Sequence, residues 1–122
     1  MEEINIAVAQ FQPKDGDKTY NLSVIRKLTE RAKAKGADVI SFHDMMGLAE
    51  EVPNGKSTQE LISISQEFDV PILAGLVEKE NGKLFNTYIC VTKDGIVTKY
   101  RKLHPFISKY MSAGQEYCVF EL

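Results

Sequence analysis

Two dipeptides, Asn81-Gly82 and Asp94-Gly95, constrain this chain more tightly than anything else in its sequence. Both favour the type I′ turn of tight hairpins, and both sit between runs that read as strands. The first would join a run over 72–78 to Leu84 through Thr92, and the second would join that strand to Ile96 through Arg101. Three antiparallel strands should result. Upstream the pattern differs, because strand-like and helix-like stretches alternate there. The whole order reads β-α-β-α-β-β-β, an α/β chain.

The alternating part can be read residue by residue. Ile4 to Gln10 places Ile4, Ile6 and Val8 on one face and Ala7 and Ala9 on the other, the pattern of a strand covered on both sides. Phe11 to Asp17 breaks it with turn chemistry. From Lys18 to Lys35, Leu22, Ile25, Leu28 and Ala32 form an apolar helical stripe, stopped by Gly36, with Lys33 and Lys35 near the negative end of the helix dipole. Val39 to Phe42 is short and apolar, as a buried strand would be, and the strand–helix–strand order implies a parallel pair with a right-handed crossover. His43 and Asp44 then fall at the C-terminal end of that strand, where open α/β sheets bind ligands. Met45 to Val52 is partly helix-prone but interrupted by Gly47, and Pro53-Asn54-Gly55 reads as a turn. Ser57 and Glu60 have the spacing of a capping box, opening a helix with the stripe Leu61, Ile64, Phe68 that ends before Pro71. Ile72 to Val77 is another buried-strand run. Tyr117 to Leu122 reads as a final strand with no turn or polar tail after it, as expected of a fragment or of a strand that pairs elsewhere.

Composition narrows the class. The 122 residues suit a single domain spanning 1–122, and 43% hydrophobic with 26% charged residues is the balance of a globular chain. A net charge of −2 argues against a nucleic-acid partner. No apolar stretch is long enough for a membrane span, and the acidic start, Met1-Glu2-Glu3, does not resemble a secretory signal. Two cysteines, Cys90 and Cys118, are too few for a disulfide framework and lack zinc-ligand spacing, which favours a cytoplasmic setting. His43, Asp44 and His104 offer only a weak metal signal, and no cofactor is expected.

The stretch Thr98 to Phe106 carries the most chemistry. It gathers Lys99, Arg101, Lys102, His104 and two aromatics after a strand-like run that Pro105 must end, because proline lacks a backbone N–H. Within it, Tyr100-Arg101-Lys102-Leu103-His104 resembles the lysine motif of the nitrilase superfamily, carbon–nitrogen hydrolases that cleave nitriles, amides and carbamoylated amines. Ala7-Val8-Ala9-Gln10, Asn21-Leu22, Gly36-Ala37-Asp38, Phe85-Asn86-Thr87 and Asp94-Gly95 occur in a similar order, so that the full chain is similar to the N-terminal half of that family. The resemblance implies half of a four-layer α-β-β-α sandwich, pairing into a homodimer or higher assembly. It also implies a Glu-Lys-Cys triad acting on a small amide, nitrile or carbamoyl substrate.

Carried onto this chain, Lys102 matches the triad lysine, whose permanent charge would stabilise the negative charge that develops on the substrate. Asp44 stands where the family has its glutamate. It keeps the proton-transfer chemistry but withdraws the carboxylate by one C–C bond, about 1.5 Å. Glu50 and Glu51 are nearby substitutes or a solvated acidic pair, and the stretch from Met45 to Val52 is shorter than the family loop. His104 and Tyr100 are candidate substrate-binding residues, with a turn-bonding role open for His104 and a positioning role for Tyr100 and Arg101. The triad cysteine is expected beyond Leu122. Cys90 lies mid-strand and reads as an inert small hydrophobe, and Cys118 lacks the strand-to-helix elbow a nucleophile needs. The chain alone is therefore expected to be inactive, and a non-catalytic binding or assembly module is the alternative. If Lys102 and Asp44 share a site, the ends of their strands are expected to be neighbours in the sheet.

Overall fold

The computed structural model describes residues 3–14, 16–44, 52 and 55–101, apart from the side chains of Asp44, Ile96 and Val97. Seven elements follow in the expected order: β1 (Ile6–Ala9), α1 (Lys18–Ala34), β2 (Val39–Asp44), α2 (Lys56–Phe68), β3 (Ile72–Glu80), β4 (Lys83–Thr92) and β5 (Gly95–Arg101). The final strand expected over 117–122 and the Met45 to Glu51 stretch lie outside the described residues.

The strands form one mixed sheet in the order β1-β2-β3-β4-β5. β1, β2 and β3 pair in parallel, while β4 and β5 are added antiparallel. Each parallel pair is linked by a helix, and right-handed crossovers running in one direction along the sheet bring both helices to the same face. That face holds the core. Ile25 of α1 and Leu61 and Ile64 of α2 pack with Ile40, Phe42, Ile72, Ala74, Ile89 and Val91 of the strands.

The one-sided helix layer corrects the expectation for β1. Ala7 and Ala9 pack against the core, but Ile6 and Val8 are 61% and 82% exposed and Ile4 is exposed beside them. Neither of the described helices covers the apolar face that periodicity assigned to a covered strand.

The helices also differ in detail from a simple apolar stripe. In α1 the deepest positions are Asn21, Ile25 and Thr29, while Leu22 and Leu28 are half-buried. Thr29 is tolerated in the core because its hydroxyl donates to Ile25 O at 2.7 Å. Asn21 accepts from Lys14 N at 2.8 Å and donates to Lys14 O at 3.0 Å, tying down the segment after β1. Helix α2 begins one residue before the expected capping box. Gly55 is its N-cap, with no side-chain cap hydrogen bond, so Ser57 sits inside the first turn.

The first hairpin is as expected. Asn81 and Gly82 have φ of 51° and 76°, the paired left-handed conformation of a type I′ turn, and Glu80 faces Lys83. The second is not. At the Asp94-Gly95 turn, positive φ falls on Gly95 alone, at 119°, with Thr92 opposite Gly95 and a register shift between Cys90 and Val91. A single left-handed glycine followed by an irregular ladder is the signature of a bulged hairpin rather than a two-residue type I′ loop.

Candidate functional site

β2, β3 and β5 run in the same direction, since two antiparallel steps separate β3 from β5. The C-terminal ends of β2 and β5 therefore leave the sheet at the same edge. The registers align Asp44 with Gly75, Gly75 with Tyr88, and Tyr88 with Tyr100, so one row crosses four strands. The ends are not neighbours, which corrects the expectation of adjacency: β3 and β4 lie between them, and three strand spacings amount to roughly 14 Å. Within that row Gly75 contributes no side chain of its own.

The β2 end is held by uncharged hydrogen bonds. Between Ser41 and Asp44 the β2–β3 register slips, placing three steps of β2 against two of β3. Tyr88 reaches across from β4 to this irregular segment. Its hydroxyl donates to Phe42 O at 2.8 Å and lies 2.8 Å from Ser41 Oγ. A phenol has one proton, so with that proton committed to the carbonyl, Ser41 must be the donor of the second bond. On the β1 side, His43 Nε2 lies 2.7 Å from Phe11 O, and the Phe11 ring stacks edge-on against Phe42 at 6.4 Å.

The β5 end is held by charge. Glu78 of β3 is a carboxylate with its side chain 1% exposed, and it accepts from Thr87 Oγ1 at 2.8 Å, Lys99 Nζ at 2.5 Å and Arg101 Nε at 2.8 Å. Arg101 also bridges to Glu80 and places its guanidinium 3.8 Å from the centre of the Phe85 ring. Burial pulls the Glu78 pKa upward, but the hydrogen bonds from Arg101, Lys99 and Thr87 outweigh it and hold the carboxyl below its ordinary value. This cluster fixes the last two odd-numbered residues of β5 immediately before position 102.

Among the residues expected to form a site, Asp44 and Tyr100 are brought into one row by the backbone. Lys102, His104, Glu50, Glu51 and Cys118 lie outside the described residues. Cys90 is buried in β4, and burial pushes its thiol up to about 11, so at neutral pH it is protonated and a poor nucleophile. Among the described residues no group of three or more His, Cys, Asp or Glu gathers to hold a metal ion. Nor is any described helix long and apolar enough to cross a membrane.

Sequence reading missed Glu78 and Tyr88. A signal for Glu78 was present, because the Asn81-Gly82 turn fixes Glu80 against Lys83 and so sets Glu78 on the same face as Phe85 and Thr87. No comparable signal pointed to Tyr88, whose bonds depend on the slip in β2.

The model of the carbon-nitrogen hydrolase family matches residues 5–122. Among curated proteins the chain is 27% identical over 116 residues to a nitrilase of Pyrococcus abyssi, a match covering 84% of this chain and 44% of the nitrilase. It is 30% identical over 112 residues to an (R)-stereoselective amidase of Pseudomonas sp., covering 83% of this chain and 40% of the amidase. In fold it is similar to the amidase of Nesterenkonia sp. AN1 solved as a C145A mutant with butyramide, with a TM-score of 0.77, 15% identity, and coverage of 93% of this chain and 49% of that one. The chain thus spans less than half the length of each of these relatives.

Proposed function

This chain belongs to the carbon–nitrogen hydrolase family, and on that premise we propose that it carries part of an amidase- or nitrilase-type site for non-peptide C–N bonds. In this reading a cysteine attacks the amide or carbamoyl carbon and displaces ammonia or amine, leaving a thioester or S-carbamoyl adduct; at a nitrile it adds to give a thioimidate, which one water converts to the thioester with loss of ammonia, and a further water hydrolyses the adduct. Lys102 stabilises the negative charge that develops on the substrate, and Asp44 takes the thiol proton and passes it to the leaving group. Tyr100 and His104 flank the substrate. The butyramide bound to the Nesterenkonia amidase supports a small aliphatic amide as the first substrate to try.

The observation that supports the reading is the common sheet edge at which β2 and β5 end, with Asp44 and Tyr100 in one row across the strands. The nucleophile is the part for which Cys90 is unsuited, being buried with its thiol raised to about 11. The chain alone is accordingly expected to release no ammonia from aliphatic amides, nitriles or N-carbamoyl amines, since loss of a nucleophile costs about six orders of magnitude in turnover in a serine hydrolase. Ammonia release that Cys90→Ala abolishes would overturn this assignment.

The exposure of Ile4, Ile6 and Val8 favours a second role, in assembly. Burying such apolar surface contributes about 25 cal/mol per Å², so pairing into a homodimer or larger assembly is the expected state. Sedimentation that finds a compact monomer at high concentration removes that role. The two-cysteine composition supports a cytoplasmic setting.

A further inference from the structure

We propose that Tyr88 is a positioning residue for Asp44, acting through the chain of hydrogen bonds from the Ser41 hydroxyl to the Tyr88 hydroxyl to the Phe42 carbonyl. The proposal rests on the reading of Asp44 as the site's acid.

The argument begins with the ladder. In a regular parallel pair Ser41 opposite Leu73 would be followed by His43 opposite Gly75, yet it is Asp44 that faces Gly75. One residue of β2 is extra. Such a bulge disrupts local pairing, bends the strand and changes the direction of the residues that follow it. An irregular strand end needs partners outside the ladder, because a buried carbonyl left without one costs about 1–3 kcal/mol.

Tyr88 supplies that partner from two strands away. Its own ladder partner is Gly75, the residue that faces Asp44, and the missing side chain there leaves the path from β4 to β2 open. The phenol is the right length and the right chemistry: one donor for Phe42 O and one acceptor for Ser41 Oγ, each at 2.8 Å. Both ends of this bond chain fall inside the slipped segment, immediately before His43 and Asp44. His43 is tied in turn to the Phe11 carbonyl at 2.7 Å. Asp44 therefore leaves a segment whose backbone is fixed from the β4 side by Tyr88 and from the β1 side by Phe11. A carboxylate one bond shorter than a glutamate has less reach to correct a misplaced backbone, so its placement depends more on such ties. Displacement of about 1 Å at a reacting group can cost a hundredfold in rate.

The test is the carboxyl signal of Asp44, followed by carbon-13 NMR through a pH titration of the full chain and assigned by its loss in Asp44→Asn. Tyr88→Phe keeps the ring and removes only the hydroxyl. The expected result is a displacement of the Asp44 midpoint by at least about half a pH unit, a threefold change in proton affinity. A Tyr88→Phe protein that is folded, is less stable and leaves the Asp44 titration unmoved overturns the proposal, since a merely structural hydroxyl would do that. Should Tyr88→Phe fail to fold, Ser41→Ala, which spares the bond to Phe42, decides by the same criterion with a smaller shift expected. Ammonia release dependent on Cys90 would sink the triad reading without touching this result, so the two failures are distinguishable.

Discussion

The ends of β2 and β5 leave the same edge of one sheet, yet they are secured by opposite means. At β5 a buried carboxylate, Glu78, gathers two cations and a hydroxyl on the helix-bearing face. At β2 a phenol, a serine and a carbonyl share two uncharged bonds at the end of a slipped strand. Charge gives the stronger hold and the more fragile one: it depends on every partner being present and on pH. The relay of Ser41, Tyr88 and Phe42 O is weaker, and no charged group takes part in it. The division keeps the charges of the ionic cluster on the helix-bearing face, away from the row where Tyr88 and Tyr100 lie.

The largest expected effect comes from breaking the ionic end. Removing one partner of a buried charge network costs about 3–5 kcal/mol. Lys99 and Arg101 are 34% and 24% exposed and can turn partly into water, so the lower end applies here. Glu78→Ala is expected to lower unfolding stability by about 3 kcal/mol, read from urea midpoints at neutral pH. A loss below about 1 kcal/mol, the range of exposed ion pairs, would mean that the cluster does not hold β5.

Next in size is the pH response of the same end. The Glu78 carboxyl has its pKa lowered by folding, so its contribution is fully present above the unfolded-state value and is lost as pH falls through the lower folded value. Urea midpoints should therefore fall in acid below the ordinary glutamate range, and Glu78→Gln should remove part of that fall. A Glu78→Gln profile parallel to that of the parent from neutral pH to pH 3 would break the comparison at its charged side.

The uncharged end should respond less. Tyr88→Phe loses one bond to Ser41 and leaves Phe42 O short of a donor in a half-buried place. The expected loss is about 1–2 kcal/mol, measured in the same way. Any difference between pH 7 and pH 3 should come from the displaced Asp44 midpoint, about 0.7 kcal/mol for half a pH unit.

What could be read from sequence divides along the same line. Local chemistry was legible: the helix stops, the strand order, and the left-handed pair at Asn81-Gly82. Features that depend on distant partners were not. The face of Glu78 follows from the Asn81-Gly82 turn, but its burial does not, because the cations that neutralise it arrive two strands away on β5. Asn21 and Thr29 are buried in α1 although Leu22 and Leu28 are more apolar, since their hydrogen bonds to Lys14 and Ile25 make that depth tolerable. The bare face of Ile6 and Val8 follows from both crossovers having one hand, which a strand's own periodicity does not encode. For the candidate site, the strand reading put Asp44 at the end of β2, where the structure has it, while residues 102–104 of the motif lie outside the described residues. The slip that sets Asp44 opposite Gly75 and the bulge after Asp94-Gly95 had no local signal, because bulges answer to the register of a neighbour.

The smallest expected effect is the one that sets the two ends apart. Glu78, Thr87, Lys99 and Arg101 lie on the face that carries the helices, together with Ile89 and Val91. Tyr88 and Tyr100 occupy the alternate positions of β4 and β5 and so belong to the other face. Thr87 and Tyr88 are consecutive on β4, and Tyr100 lies between Lys99 and Arg101 on β5, so among the described residues the clusters are joined through strand backbone and ladder and not through a shared side-chain partner. Sites without shared partners add to within about 0.3–0.5 kcal/mol, whereas residues in one network couple by as much as 3 kcal/mol. The double variant Glu78→Gln with Tyr88→Phe should therefore lose the sum of the two single losses within that smaller margin. Coupling above about 1 kcal/mol would show that shifting β4 transmits strain from one face to the other. The two ends would then be one device, with the charged cluster helping to set the register against which Tyr88 holds β2.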